Sequence, residues 1–214
     1  LDLVASFASG FEEFLQSKVY QGSAEDVVQA WEVAYLHESN VDTLLERPRT
    51  PFEVVRRLTL SQLFFKLKID HTKDDIEELV TTKATPTLFP DVKEHLTRLK
   101  GKFQMAVLSN GDLESLDRAI SGLGISVDRA ISAEQAEFYK PHPGVYRHAI
   151  SEIDLPSEQV LHVAAHAWDI RGARAAGMAG AYINRYSIPY VDADGSQADL
   201  EVSNLAGLAD RLTQ

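Results

Sequence analysis

The stretch VLHVAAHAWDIRGARAAGMAGAYINR, Val160 to Arg185, decides the fold. It opens on an apolar run, Val160 to Ala165, passes Trp168-Asp169, and enters a segment rich in Ala and Gly that reads as a helix. It closes on a second apolar run, Ala179 to Ile183. Strand, turn, helix and strand in that order make a parallel βαβ unit. Ligands of open α/β sheets bind beyond the carboxyl ends of the strands. Asp169 falls just past such an end.

Working back from this unit, strands and helices keep alternating. Pro90 opens an amphipathic helix through Leu99, Phe103 to Leu108 reads as a buried strand, and a helix follows Ser109-Asn110-Gly111-Asp112 to about Gly122. Val127 to Ile131 is another strand, and Pro143 starts a helix to Glu152. Beyond the opening unit, an acidic, less regular tail runs from Asp192. Such alternation means a parallel sheet flanked by helices, an α/β fold.

Residues from about 10 to 82 carry no strand signal. A helix is expected over Phe11 to Lys18, and a longer one after Ser23 as N-cap, with Val27, Val28, Trp31, Ala34 and Tyr35 on one face. Arg47-Pro48-Arg49 breaks it. Thr50-Pro51-Phe52-Glu53 predicts a helix start with Thr50 as cap and an apolar face of Val54, Val55, Leu58, Leu63, Phe64 and Leu67. Thr72 with Asp75 repeats the capping pattern before Ile76, Leu79 and Val80. The expected division is an α/β core of residues 1–9 and 83–214 with a helical lid of 10–82.

The chain has 214 residues, 44% of them apolar, which suffices for a buried core. A net charge of −11 argues against nucleic acid or an anionic membrane surface as partner. No cysteine is present, which removes disulfides, thiol catalysis and thiolate metal sites. No apolar run is long enough to span a membrane. The opening LDLVASFASGFEEFL lacks the basic start of a signal peptide, so a cytoplasmic protein is the expectation.

Three polar clusters follow strands or their loops. Ser109-Asn110-Gly111 offers a hydroxyl, an amide and backbone N–H groups suited to a carboxylate or phosphate; the plain alternative is a capped turn. In Tyr139-Lys140-Pro141-His142-Pro143-Gly144-Val145-Tyr146, two prolines stiffen the loop, and the Lys140 ammonium can hold a carboxylate nucleophile in its charged form. The alternative there is an exposed lysine in a rigid turn. In His166-Ala167-Trp168-Asp169, Asp169 can polarise a water, pair with Lys140, or merely cap the next helix. The histidine pairs 162/166 and 142/148 are poor metal sites, since neither pair lies on one helical face. Gly172, Gly177 and Gly180 form no dinucleotide fingerprint and read as close helix–sheet packing.

Taken in order, these clusters resemble the haloacid dehalogenase superfamily. SNG is similar to its second motif, KPHPGVY to its third and AAHAWDIRGARAAG to its fourth, and LSNG, YKPHPxVY and WDxxGARxxG resemble the type II 2-haloacid dehalogenases. The match is specific from Phe89 to Arg185, and TPFEVVRRLTL resembles a cap-helix phrase. The resemblance implies a Rossmann-like parallel-sheet core with a helical cap, a homodimer, and a small anionic substrate handled without cofactor or metal. It implies that Ser109 and Asn110 line the substrate carboxylate site, that Lys140 contacts the nucleophile with Tyr146 nearby, that Asp169 helps activate the hydrolytic water, and that Trp168 shapes the pocket wall.

Three departures stand out. The family nucleophile is an Asp in a phrase like FDxYGTL, which this chain lacks. Leu1-Asp2 resembles the residues just after that phrase, so the nucleophile is expected a few residues before Leu1, and Asp2 is a poor substitute. A sheet without that central strand would expose two edges. The family's Ser-Ser-Asn is here Ala164-Ala165-His166, with His166 replacing an amide that would face the pocket. The cap arginine that receives the halide is not evident, and Arg47 and Arg49 are the candidates. The expected activity is removal of halide from short 2-haloacids through an aspartyl ester. A Mg²⁺-dependent phosphatase of the same superfamily is the enzymatic alternative, disfavoured because Ala164 and Ala165 cannot ligate a hard cation. A non-catalytic binding protein is the other alternative, and it wins if the native chain starts at Leu1.

Overall fold

The computed structural model describes residues 2–45, 47–81 and 86–214. The chain divides into two units, Leu1–Phe89 with Arg118–Gly124, and Pro90–Asp117 with Ile125–Gln214. The boundary expected at 82/83 lies outside the described residues.

The first unit's leading segment is helical: α1 (Leu3–Ser17), α2 (Ala24–Ser39), α3 (Val41–Leu44), α4 (Phe52–Leu67) and α5 (Lys73–Thr81). The Asp2 carboxylate starts α1 by accepting from the Ala5 N–H at 3.0 Å. Phe7, Phe11 and Leu15, four residues apart, then form its buried stripe. Residues 3–9, assigned to the core from their small apolar character, are thus the first turns of a helix in this unit. The Phe11 and Trp31 rings stack at 5.6 Å, and Phe7 meets Trp31 edge-on at 5.1 Å.

The start and face of α4 differ from expectation. Pro51, not Thr50, stands at the N-cap, and the Thr50 N–H is drawn away to donate to Asp42 Oδ2 at 2.7 Å. The buried face is Val55, Thr59, Leu60, Leu63 and Phe64, while Val54 and Leu58 are 47% and 45% exposed. The rotation has a polar cause. The Thr59 hydroxyl donates to the Val55 carbonyl at 2.8 Å and lies 3.2 Å from Trp31 Nε1, so it is satisfied inside and takes the place a stripe reading gives to Leu58. At α5 the expected reciprocal cap forms. The Asp75 N–H donates to Thr72 Oγ1 at 3.1 Å and the Thr72 N–H to Asp75 Oδ2 at 2.7 Å.

The second unit holds α6 (Val92–Lys100), β1 (Ala106–Ser109), the first half of α7 (Leu113–Leu123), β2 (Arg129–Ser132), α8 (Pro143–Ile153), β3 (Leu161–Ala164), α9 (Ala167–Ala175), β4 (Ala179–Ile183), β5 (Leu200–Val202) and α10 (Leu205–Thr213). The strands pair in parallel. Among the described residues they form two sheets, β1–β2 with Ser109 opposite Ser132, and β3–β4–β5 with Leu161 opposite Ala179 and Ala181 opposite Leu200. Among the described residues β1 and β3 are edges of their sheets. The βαβ reading of Val160 to Arg185 holds strand for strand.

The tail from Asp192 is more regular than expected. It supplies β5 and α10, and Asn204 caps α10 by accepting from the Gly207 N–H at 2.9 Å. Asp91 binds this end together. It takes both Arg185 guanidinium nitrogens, at 2.9 and 3.0 Å, and the Leu205 N–H at 2.7 Å. No helix among the described residues is long and apolar enough to cross a membrane.

The three glycines have three different reasons. Gly180 alone is helix–sheet packing in the expected sense, since a Cβ there would stand 2.5 Å from Ile170 Cγ2 of α9. Gly172 faces the Tyr146 ring of a neighbouring helix, and Gly177 follows α9 at φ +92°, where a side chain is strained. Ile170 is fully buried and branched at Cβ, so it cannot swing aside. Gly180→Ala should therefore lower the unfolding free energy by about 1–3 kcal/mol, the usual cost of overpacking. Urea denaturation checks this, and an unchanged midpoint would show that the contact relaxes without cost.

Candidate active site

The site is assembled at the carboxyl ends of β1 and β3, within the second unit. β1 ends at Ser109, whose Oγ accepts from the Gly111 N–H at 3.0 Å and so shapes the turn. Asn110 is buried, and its side-chain oxygen accepts from the Lys140 N–H at 2.8 Å. That bond fixes the backbone from which the Lys140 side chain departs. The chain then enters α8 at Pro143, with His142 as N-cap: its Nδ1 accepts from the Gly144 N–H at 3.1 Å. Burial, with Arg147 nearby, holds the His142 pKa below its ordinary value, which keeps the ring neutral and able to accept.

Lys140 is a buried lysine, 8% exposed, which rules out the surface-lysine alternative. Its Nζ donates to the Leu108 carbonyl at 3.2 Å and to Asp169 Oδ2 at 2.7 Å. It also lies 5.9 Å from the centre of the Trp168 ring. Asp169 is 5% exposed and stands in the first turn of α9. It is not the cap of that helix; His166 holds the N-cap position. The carboxylate instead points inward, where its Oδ1 accepts from the Tyr146 hydroxyl at 2.7 Å. His162 Nε2 is also 3.0 Å from Oδ1, close but out of line for a good hydrogen bond.

The electrostatics follow from these contacts. Burial on its own would raise the Asp169 pKa, but the Lys140 charge and the His162 contact outweigh it, so the group stays ionised far below the ordinary carboxylate range. Tyr146 moves the other way: burial first, then the Asp169 charge, push its hydroxyl well above the usual phenol value. It is a fixed neutral donor. The His166 ring stacks with Trp168 at 5.8 Å and with Tyr186 at 6.1 Å.

The structure thus brings Lys140, Asp169 and Tyr146 into bonding contact, places Asn110 against the Lys140 backbone, and sets Trp168 beside the ammonium. Arg47 and Arg49 lie in the first unit, where Arg47 is paired with the buried Asp42 carboxylate. Asp2 also lies there, with its carboxylate committed to capping α1. The sequence singles out His162 only as half of a poor metal pair. The missed signal is strand alternation, which turns His162 to the same side as Ala164. Among the described residues no group of three or more His, Asp and Glu could hold a metal ion.

A buried lysine–carboxylate pair at parallel-strand ends, backed by a tyrosine, holds a fixed charge and fixed donors where ligands of such sheets bind. A family model described as haloacid dehalogenase-like hydrolase matches residues 6–177. The chain belongs to that family. It is 33% identical over 202 residues to (S)-2-haloacid dehalogenase 1 of Pseudomonas sp. (strain CBS-3), covering 90% of this chain and 87% of that protein. It is 31% identical over 173 residues to (S)-2-haloacid dehalogenase 4A of Burkholderia cepacia, covering 78% and 73%. Its fold is similar to that of the L-2-haloacid dehalogenase of Xanthobacter autotrophicus, with a TM-score of 0.84 at 22% identity over 98% of this chain and 92% of the other.

The depressed Asp169 pKa fixes the sign of a stability effect. A carboxylate ionised more easily in the folded than in the unfolded state stabilises the fold above its unfolded value, about 3.9, and loses that contribution as pH falls below it. Wild type should be more stable than Asp169→Asn at neutral pH, and the gap should narrow once pH drops below about 4. Urea denaturation of both proteins across pH reads this directly. A gap that widens in acid would mean that the carboxylate is not held ionised by its neighbours.

Proposed function

We propose that the protein hydrolyses short 2-haloacids without a metal ion, through an ester formed on an aspartate carboxylate. The observation that supports this most is the Lys140 ammonium. Two of its three N–H groups are accounted for by Leu108 and Asp169, and the third suits a second carboxylate, the nucleophile. That carboxylate attacks C2 of the haloacid, the carbon–halogen bond breaks, and the halide leaves with its electron pair. Water then adds to the ester carbonyl, and the 2-hydroxy acid departs as the carboxylate is regenerated.

In this reading Ser109 and Asn110 receive the substrate carboxylate, with Tyr146 and His166 lining the site and Trp168 forming its wall. Asp169 orients the water on the lone-pair direction that Lys140, Tyr146 and His162 leave over. Its depressed pKa makes it a weak base, so its contribution is alignment. Arg47 and Arg49 are the candidates to receive the halide. Ala164 and Ala165 provide no oxygen ligand, which favours this chemistry over a Mg²⁺-dependent phosphatase. The names of the relatives favour (S)-2-haloacids as substrates. A cytoplasmic homodimer completes the proposal, supported by the family resemblance.

Full-length protein should release chloride from (S)-2-chloropropionate in excess EDTA and gain nothing from added Mg²⁺. A strict Mg²⁺ requirement with turnover of phosphate esters would replace this reading with the phosphatase.

Lys140→Ala should lower halide release about a thousandfold, as expected for losing a preorganised charge, with circular dichroism confirming the fold. Near-normal turnover would remove Lys140 from the machinery. Asp169→Asn should still react once and accumulate the ester, visible as an added 2-acyl mass on the intact protein. Full steady turnover with no adduct would leave Asp169 without a part in hydrolysis.

A further inference from the structure

His162 touches no reacting atom in the reaction as proposed, yet it is placed against the same carboxylate as Lys140 and Tyr146. It sits in the middle of β3, where period-two alternation turns it towards α8 and α9. Its side chain is 12% exposed, its ring meets Tyr146 edge-on with centroids 5.5 Å apart and planes at 88°, and Nε2 is 3.0 Å from Asp169 Oδ1. Among the described residues Nε2 has no well-aligned hydrogen-bond partner, and Asp169 Oδ1 is the polar atom it approaches. A ring nitrogen directing its lone pair at a carboxylate oxygen at this distance would be repelled, so Nε2 carries the proton. The Tyr146 hydroxyl cannot relieve it, since that proton is given to the same Oδ1.

We infer that His162 is a positioning residue for Asp169. A carboxylate held only by Lys140 on one oxygen and Tyr146 on the other can still turn about its χ2 bond, a broad, soft torsion. A second polar contact on Oδ1, arriving from the strand as the Nε2–H, restricts that rotation. The lone pair left for water then keeps a fixed direction. The catalytic consequence rests on the haloacid reading: ester hydrolysis, which needs the aligned water, depends on His162 more than ester formation does.

The test compares His162→Phe, which keeps a flat ring and removes the donor, with His162→Gln, which restores an amide donor. Rapid-quench mass spectrometry on full-length protein separates ester formation from ester hydrolysis. His162→Phe should slow hydrolysis about tenfold, the low end for a polar contact to a charged group, while formation changes by less than about threefold. His162→Gln should recover part of the loss. A variant that is merely damaged would lose both steps equally, and that result, or a Gln variant no better than Phe, overturns the inference. His162→Leu replaces the Phe variant if the latter does not fold. If wild type releases no halide, the haloacid reading fails by itself. The positioning role is then decided by crystal structures of wild type and the donor-free variant: a rotated Asp169 carboxylate supports it, and an unmoved one overturns it.

Discussion

The buried pair of Lys140 and Asp169 sets the conditions that the rest of the site meets. Two opposite charges 2.7 Å apart attract strongly, but taking both from water costs several kcal/mol per ion. The cost is offset only if the remaining protons and lone pairs also find partners. Here most of them do, and each neighbour that holds the pair arrives from a separate element. Leu108 comes from β1, Asn110 from the turn after it, Tyr146 from α8 and His162 from β3. Separate pieces of chain are thereby held to one point, and the ends of β1 and β3 must lie close to it.

Such convergence needs backbone room, which explains a glycine far from any turn. Tyr146 reaches Asp169 only by lying against α9, and a Cβ at position 172 would stand 2.6 Å from its ring. Gly172 therefore belongs to the site as much as to the packing. The same crowding makes Tyr146 a dependable donor. Burial raises its pKa, so it keeps its proton beside a carboxylate that never takes one at ordinary pH. Asp91 plays a matching part just past the carboxyl end of β4, where Arg185 and the start of α10 share its carboxylate.

What was legible in the sequence was local. The parallel βαβ unit, the Thr72–Asp75 cap and the polar residues after strand ends are each set by neighbours a few positions away. Lys140, Tyr146 and Asp169 were recoverable because prolines and strand ends flag their segments. What failed depended on distant partners. The face of α4 turns on a hydrogen bond from Trp31 to Thr59, and the first turn of α4 on Asp42. The strand β5 spans three residues with an acid, Glu201, at its centre, and the acid before it, Asp199, is itself structural because it accepts from the Gly180 N–H at 2.7 Å. His162 looked like any polar residue in a short strand, since periodicity fixes which positions share a side but not which side meets Asp169.

The departure at Ala164-Ala165-His166 reflects where polarity is placed in this chain. The resemblance expects hydroxyls and an amide at the end of β3. Ala164 instead packs with Ile170, Tyr182 and Tyr190, so a hydroxyl there would need a partner that these side chains do not supply readily. The polar groups have moved to either side: His162 within the strand, against Asp169, and His166 on the turn, its ring stacked on Trp168 and Tyr186. Asp169 is consequently gripped from two directions, by an ammonium on one oxygen and by a phenol and an imidazole on the other. The phenol is held neutral by its burial and by the carboxylate itself. Oδ1 of Asp169 is therefore shared between a phenol from α8, whose proton is fixed, and a ring that arrives from β3.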